Sequence, residues 1–276
     1  MVSILSILLF LTSYIGVRGV YTKDKLYFIE RNKVQKVELF TEESIKELPG
    51  PLKKYLRVCG YMETPVPLNA NVNWAESWLK MSPDKEWKEL RTLQFNSVKP
   101  LGRSAYMKIL GMPVAARDLY RDGYGEMKVK LMSLIKVAFD NSKEIAQSAL
   151  ITTFCEFMLV PGYLLLENVE WEEIDDYTVK GTLVDNGIEV SGLFYFNEEG
   201  LFTHFETFDR YFTKAKNSYE KVKFSIVVES YKIQKDLKIA EKVKVMWHLP
   251  EGDYEYYKGT IDKIEFNVFE NNRKRR

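Results

Sequence analysis

The sequence has very little of what usually carries catalysis. Only two histidines and two cysteines occur in 276 residues. His204 and Glu206 share a strand face with Asp209 close by, but a metal centre gathers three or four ligands, and this set is too sparse to predict one. No G-x-S-x-G elbow and no Cys/His nucleophile pattern occurs. Gly123-Tyr124-Gly125 has neither the third glycine nor the lysine of a phosphate loop, so it reads as a turn. Asp175-Asp176 falls between two strands, where aspartate favours turns. Cys59 and Cys155 make no disulfide framework, and Cys155 sits in an apolar stretch as a small core residue. Net charge is lacking too. With 40 basic and 39 acidic residues the formal balance is +1, which gives no overall field to draw in nucleic acid. No cofactor and no metal is expected.

Long apolar runs are also few, and they are informative. Residues 2–17 carry no charge. They fall short of the roughly 20 residues of a membrane span, and the basic start of a signal peptide is missing. Positive charges follow instead, at Arg18, Lys23, Lys25 and Arg31. Residues 1–20 are therefore read as a membrane anchor or a cleaved export signal, with a segment buried in the fold as the alternative; either of the first two associates the chain with a membrane without fixing the side. Residues 21–40 hold two short apolar runs and are read as a hairpin or stalk. Thr41 to Ser44 starts a helix that Pro49-Gly50-Pro51 interrupts, with a restart through Leu52, Tyr55 and Leu56 ending at Gly60. Arg273 to Arg276, in the tail 271–276, form a basic end that could reach anionic head groups.

The second run, Asn141–Leu166, differs from everything around it. Asn141 with Glu144 three residues later has capping-box spacing, and Pro161-Gly162 ends or kinks the segment. Ala146, Leu150, Phe154, Phe157 and Met158 fall on one side, while Ile151, Cys155 and Leu159 recur on another. A helix apolar on two sides is buried between layers. Glu156 is the odd residue in it, a lone carboxylate in apolar company. It could be held by Thr152 one turn back, paired with a basic residue of the sheet, or set on an exposed stripe.

The remainder alternates. Val222, Phe224, Ile226 and Val228 share a face opposite Lys221, Lys223 and Glu229, and Val243, Val245 and Trp247 repeat the pattern, as expected of antiparallel strands with one wet face. Asp122-Gly123, Asn186-Gly187, Glu199-Gly200 and Glu251-Gly252 mark hairpins. The two-residue loop at Asn186-Gly187 fixes the register of its strands. It sets Leu183 opposite Val190, Val179 opposite Phe194, and Gly181 opposite Gly192. Two glycines side by side leave a notch in an apolar face, to be filled by the helix, by a curl of the sheet or by a ligand. The predicted fold is α+β: a long curled antiparallel sheet, an open half-barrel spanning residues 41–270, with the inserted helix 141–166 over its concave face.

Four blocks carry a resemblance. Glu47-Leu48-Pro49-Gly50-Pro51-Leu52-Lys53-Lys54-Tyr55-Leu56, Arg117-Asp118-Leu119-Tyr120-Arg121-Asp122-Gly123-Tyr124-Gly125-Glu126-Met127, Trp171-Glu172-Glu173-Ile174-Asp175-Asp176 and Trp247-His248-Leu249-Pro250-Glu251-Gly252 look like blocks of the DUF6544 group of uncharacterised prokaryotic proteins. That resemblance spans roughly residues 41–268 and implies no activity. The strand–helix–strand order is similar to lipoprotein carriers of the LolA/LolB kind, which implies a half-barrel with helices in its mouth. The residues themselves favour a non-enzymatic protein that binds a lipid or other apolar small molecule near a membrane. Gly181, Gly192, Val179, Phe194, Phe154 and Glu156 are the candidate ligand-binding residues. A packed envelope or protein-interaction module is the alternative, and an enzyme acting through Glu156 and nearby acids the weaker one.

Overall fold

Side-chain alternation decides most of the architecture. The computed structural model describes residues 16–270. Helix α1 (Val17–Asn32) and helix α2 (Gly50–Val58) precede six strands: β1 (Asn69–Leu79), β2 (Lys88–Ser97), β3 (Gly102–Ile109), β4 (Val114–Arg121), β5 (Tyr124–Leu131) and β6 (Ile135–Asp140). Helix α3 (Lys143–Cys155) and two short 3-10 turns, Glu156–Met158 and Pro161–Leu165, follow. Then come β7 (Val169–Asp175), β8 (Thr178–Asp185), β9 (Ile188–Phe196), β10 (Phe202–Thr207), β11 (Tyr211–Ala215), β12 (Ser218–Lys221), β13 (Phe224–Gln234), β14 (Leu237–Leu249) and β15 (Gly252–Phe266). Thirteen strands form one antiparallel sheet in the order β6-β5-β4-β3-β2-β1-β15-β14-β13-β10-β9-β8-β7, and β11–β12 is a separate hairpin. The sheet is open, with β6 and β7 as its edges. Because α3 connects those two edges, it must cross the concave face, and it lies there as the sequence predicts.

The hairpin register is also as expected. Asp185 pairs with Ile188, Leu183 with Val190, Gly181 with Gly192 and Val179 with Phe194. Asn186 and Gly187 both have positive φ, 48° and 80°, which matches the right-handed twist of the flanking strands. The central helix is shorter than its sequence suggests. Its cap is Ser142, not Asn141: the Ser142 Oγ accepts the Ile145 N–H at 3.3 Å, and Asp140 in turn accepts the Ser142 N–H at 3.0 Å. Regular helix ends at Cys155, and the rest of the segment tightens into 3-10 turns with Pro161 opening the second. Thr41 and Ser44 do exchange capping hydrogen bonds, yet no helix continues from them; the regular helix begins only at Gly50.

The hairpin or stalk expected for residues 21–40 is a correction. Residues 17–32 are helical, with Val17, Tyr21, Asp24 and Phe28 buried along one stripe. Their spacing is that of a helix face, and it outweighs the short apolar runs that suggested strands. Only Leu39, bridged to Pro65, contributes extended pairing. Helix α1 packs on the convex face of β2–β4, where Phe28 stacks on Phe95 at 6.3 Å and Tyr21 meets Tyr106 at 6.4 Å. Beneath it, Arg117 Nε and Nη2 donate to the Asp24 carboxylate at 2.7 and 3.1 Å, and Arg117 also pairs with Glu126. The apolar segment 2–17, save its last two residues, and the tail 271–276 lie outside the described residues. Among the described residues no helix is long and apolar enough to cross a membrane.

Candidate functional site

One half of the concave face is packed solid, and the other half is not. On the packed half, α3 delivers Phe154 onto β8–β10. Its ring lies edge-on to Phe194 at 5.2 Å and to Phe205 at 5.8 Å, and stacks with Trp171 of β7 at 6.2 Å. These rings occupy the glycine notch. A Cβ on Gly181 would come 2.7 Å from the Phe154 ring and 2.6 Å from Trp171, and one on Gly192 would come 2.1 Å from Phe205. Val179 and Phe194 are completely buried among them. Gly181, Gly192, Val179, Phe194 and Phe154 are thus brought together as expected, but as an aromatic core without room for a ligand, since close-packed rings leave no void. The notch serves the helix.

The unfilled half lies between the inward faces of β1–β5 and β13–β15 and the tail of α3. A cavity of about 330 Å³ opens there. Its wall is mainly apolar, with Leu90, Met107, Ile109, Val129, Val228 and Val243 among the lining residues, and Thr92 and Gln94 add polar points. Thr152 and Cys155 of α3 and Glu156, Met158 and Leu159 of the turn after it complete the lining on the helix side. The cavity reaches the surface beside Met81, which lines it and is 64% exposed. Of the residues the sequence marked for ligand binding, Glu156 alone is on this wall.

Glu156 belongs to a buried polar chain along the inner face of β1–β4. Arg103 Nε donates to both Glu156 oxygens at 2.8 Å, and Asn96 Nδ2 donates to Oε2 at 2.7 Å. Arg103 Nη1 reaches Asp118 at 2.7 Å. Gln94 donates to Asn96 at 2.9 Å and accepts from the Trp74 indole at 3.3 Å. Burial pushes the Glu156 carboxyl above the ordinary carboxylate range, opposed by Arg103 and Asn96. Burial also works against the Arg103 charge, but Glu156 and Asp118 outweigh it and hold the guanidinium protonated. Both Glu156 oxygens are thereby committed to structural partners. Thr152 is not among them, since its hydroxyl donates to the Ser148 carbonyl one turn back.

The remaining polar candidates are scattered. His204 stacks flat on Tyr195 at 4.0 Å and shares a hydrogen bond with Thr203, Glu206 pairs with Lys223, and Asp209 holds Ser191 and Lys221. No group of metal-ligating side chains assembles among the described residues. Asp175 accepts the Tyr177 N–H at 2.8 Å, an aspartate turn. Cys59 and Cys155 are free and buried, and desolvation pushes the Cys59 thiol up to about 12 and raises Cys155 as well. Arg103, Asp118 and Arg210 were not identified from sequence. The adjacent Arg117-Asp118 pair, which puts a charge on each face of β4, was the available signal.

Residues 38–259 match a family model described as a family of unknown function, DUF6544. No curated protein matches the chain. Among solved structures it is similar to a LolA superfamily protein from Nitrosomonas europaea, at 12% identity over 79% of this chain and 92% of that one, with a TM-score of 0.45. It is similar to a domain assigned as an outer membrane lipoprotein-sorting protein from Vibrio parahaemolyticus, at 12% identity over 74% and 87%, TM-score 0.44. A DUF1329 family protein from Desulfovibrio piger matches at 10% identity over 80% and 93%, TM-score 0.43.

Proposed function

The chain belongs to the DUF6544 family, whose function is unknown, and we propose that it binds a lipid-like or other apolar molecule in the cavity under α3, at or near a membrane. The observation that carries this reading is the cavity itself. Its volume of about 330 Å³ falls at the lower end of ligand sites, which run from about 300 to 1,000 Å³. An apolar void of that size forfeits packing contacts unless something occupies it. A fully packed module would have no reason to keep it.

The surface around the opening supports the membrane part. Leu110, Met112, Met132 and Leu134 are exposed on the turns at this end of β3–β6, and the Met132 N–H donates to the Pro113 carbonyl at 2.6 Å, tying two of those turns together. Ile135 and Val137 continue the patch along the β6 edge, with Lys108 and Lys136 exposed beside it. Apolar tips flanked by lysines suit an interface with anionic head groups.

The test is uptake of a neutral apolar fluorophore, N-phenyl-1-naphthylamine. The wild-type chain should take it up saturably, and Ala116→Trp, which fills the cavity from β4, should abolish uptake while keeping the fold. Uptake unchanged by Ala116→Trp would remove the cavity as the site.

A further inference from the structure

Resting on the reading of the cavity as a ligand site, we infer that its ligand is a single-chain amphiphile with a carboxylate head, of the long-chain fatty-acid class, and that Arg210 is the residue that receives the carboxylate. Four charged side chains line the cavity: Arg103, Asp118, Glu156 and Arg210. Arg103 is paired with both acids, through Nε to Glu156 and Nη1 to Asp118. Arg210 is in the opposite position. Among the described residues its guanidinium has no carboxylate partner, and its side-chain hydrogen bond runs from Nη1 to the Tyr256 hydroxyl at 3.1 Å. Its Nε is buried with no partner at all. Such a donor is left unsatisfied at the cost of its hydration.

The setting shapes that cation for an anion. Its guanidinium lies over the Phe224 ring at 4.1 Å and near Trp247 at 5.1 Å, so aromatic faces hold the plane in place and keep water away from it. A planar fork with unused N–H donors matches a carboxylate in two-point geometry. Location agrees with a head group. Tyr256, which accepts from Arg210, also accepts at its carbonyl the N–H of Lys80, the neighbour of the exposed Met81 at the opening. The head would then lie on the opening side, with the chain running inward between the strands. One guanidinium suits a monoanion better than a doubly charged phosphate, and a small cavity suits one chain better than several.

Full-length protein titrated at neutral pH with cis-parinaric acid and with its methyl ester tests this directly, because the two share a chain and differ in charge. The acid should bind roughly tenfold more tightly, the scale of one charge-assisted contact. Arg210→Met should erase the difference between acid and ester, whereas Arg210→Lys should keep part of it. Equal affinities in the wild type, or a preference that survives Arg210→Met, would overturn the assignment and leave the cavity reading standing. If Arg210→Met does not fold, the wild-type comparison of acid and ester decides. Binding of neither probe would overturn both.

Discussion

At the scale of single residues, two buried arginines on opposite faces of the sheet organise the charge. Arg103 faces the cavity with Glu156 and Asp118, and Arg117 faces α1 with Asp24 and Glu126. Breaking a buried pair leaves an uncompensated partner, so Glu156→Leu should destabilise the fold by about 3 kcal/mol. Urea midpoints check this, and a variant as stable as wild type would mean that Asp118 alone satisfies Arg103. The outer group gives a pH dependence. Burial raises the Glu126 carboxyl, but Lys128, the Tyr124 hydroxyl and Arg117 outweigh it and hold Glu126 below its ordinary value of 4.5. A depressed carboxyl stabilises the folded state above its unfolded value, and that contribution is lost as the pH falls below 4.5 through the folded value. Glu126→Gln should therefore lower stability at neutral pH and flatten its decline under acid. An acid limb with wild-type slope in the variant would contradict the assignment.

At the scale of elements, the glycine pair on β8 and β9 is where α3 docks. The notch is filled by Phe154 and Trp171 on one side and by Phe205 on the other, so an added side chain has nowhere to go. Gly192→Val and Gly181→Val should each cost about 1–3 kcal/mol or more through overpacking. Thermal unfolding measures it, and unchanged melting temperatures would mean that the helix is not seated there. Much of this element was legible. Asn186-Gly187 allows only a tight turn, the turn fixes the register, and the register puts glycine beside glycine. The occupant was not legible, because Phe205 and Trp171 come from strands whose place in the sheet the hairpin does not specify. Glu156 was similarly half-readable. Its isolation in an apolar helix demanded a partner, but the candidates in the sheet could not be told apart.

At the scale of the whole molecule, the open sheet leaves its two edges to be joined by α3, and packing is asymmetric as a result. The β7–β10 half is filled by aromatic rings. The half under β1–β5 and β13–β15 keeps the cavity. The exposed patch on the turns and on β6 lies at the end where that cavity opens. If it meets a bilayer, the double substitution Ile135→Asp with Val137→Asp should reduce co-sedimentation of the full-length chain with phosphatidylglycerol vesicles several-fold. Undiminished association would assign membrane contact to another part of the chain.

What the sequence determined by itself is local in origin. Alternation with period two and the turn dipeptides specify antiparallel strands and their inner and outer faces. An apolar segment between strands specifies a helix that must be covered, because these signals act within a few residues of backbone. The spacing of Val17, Tyr21 and Phe28 also encoded α1, although short apolar runs obscured it. The tertiary structure decided which charges meet. Arg103 and Glu156 lie 53 residues apart, and Arg117 and Asp24 lie 93 apart. Neither pair exists until the sheet has curled and the helices have docked. The cavity belongs to the same class. It is a mismatch of volume among side chains from distant strands and one helix, and no stretch of sequence records the space between residues it does not itself contain.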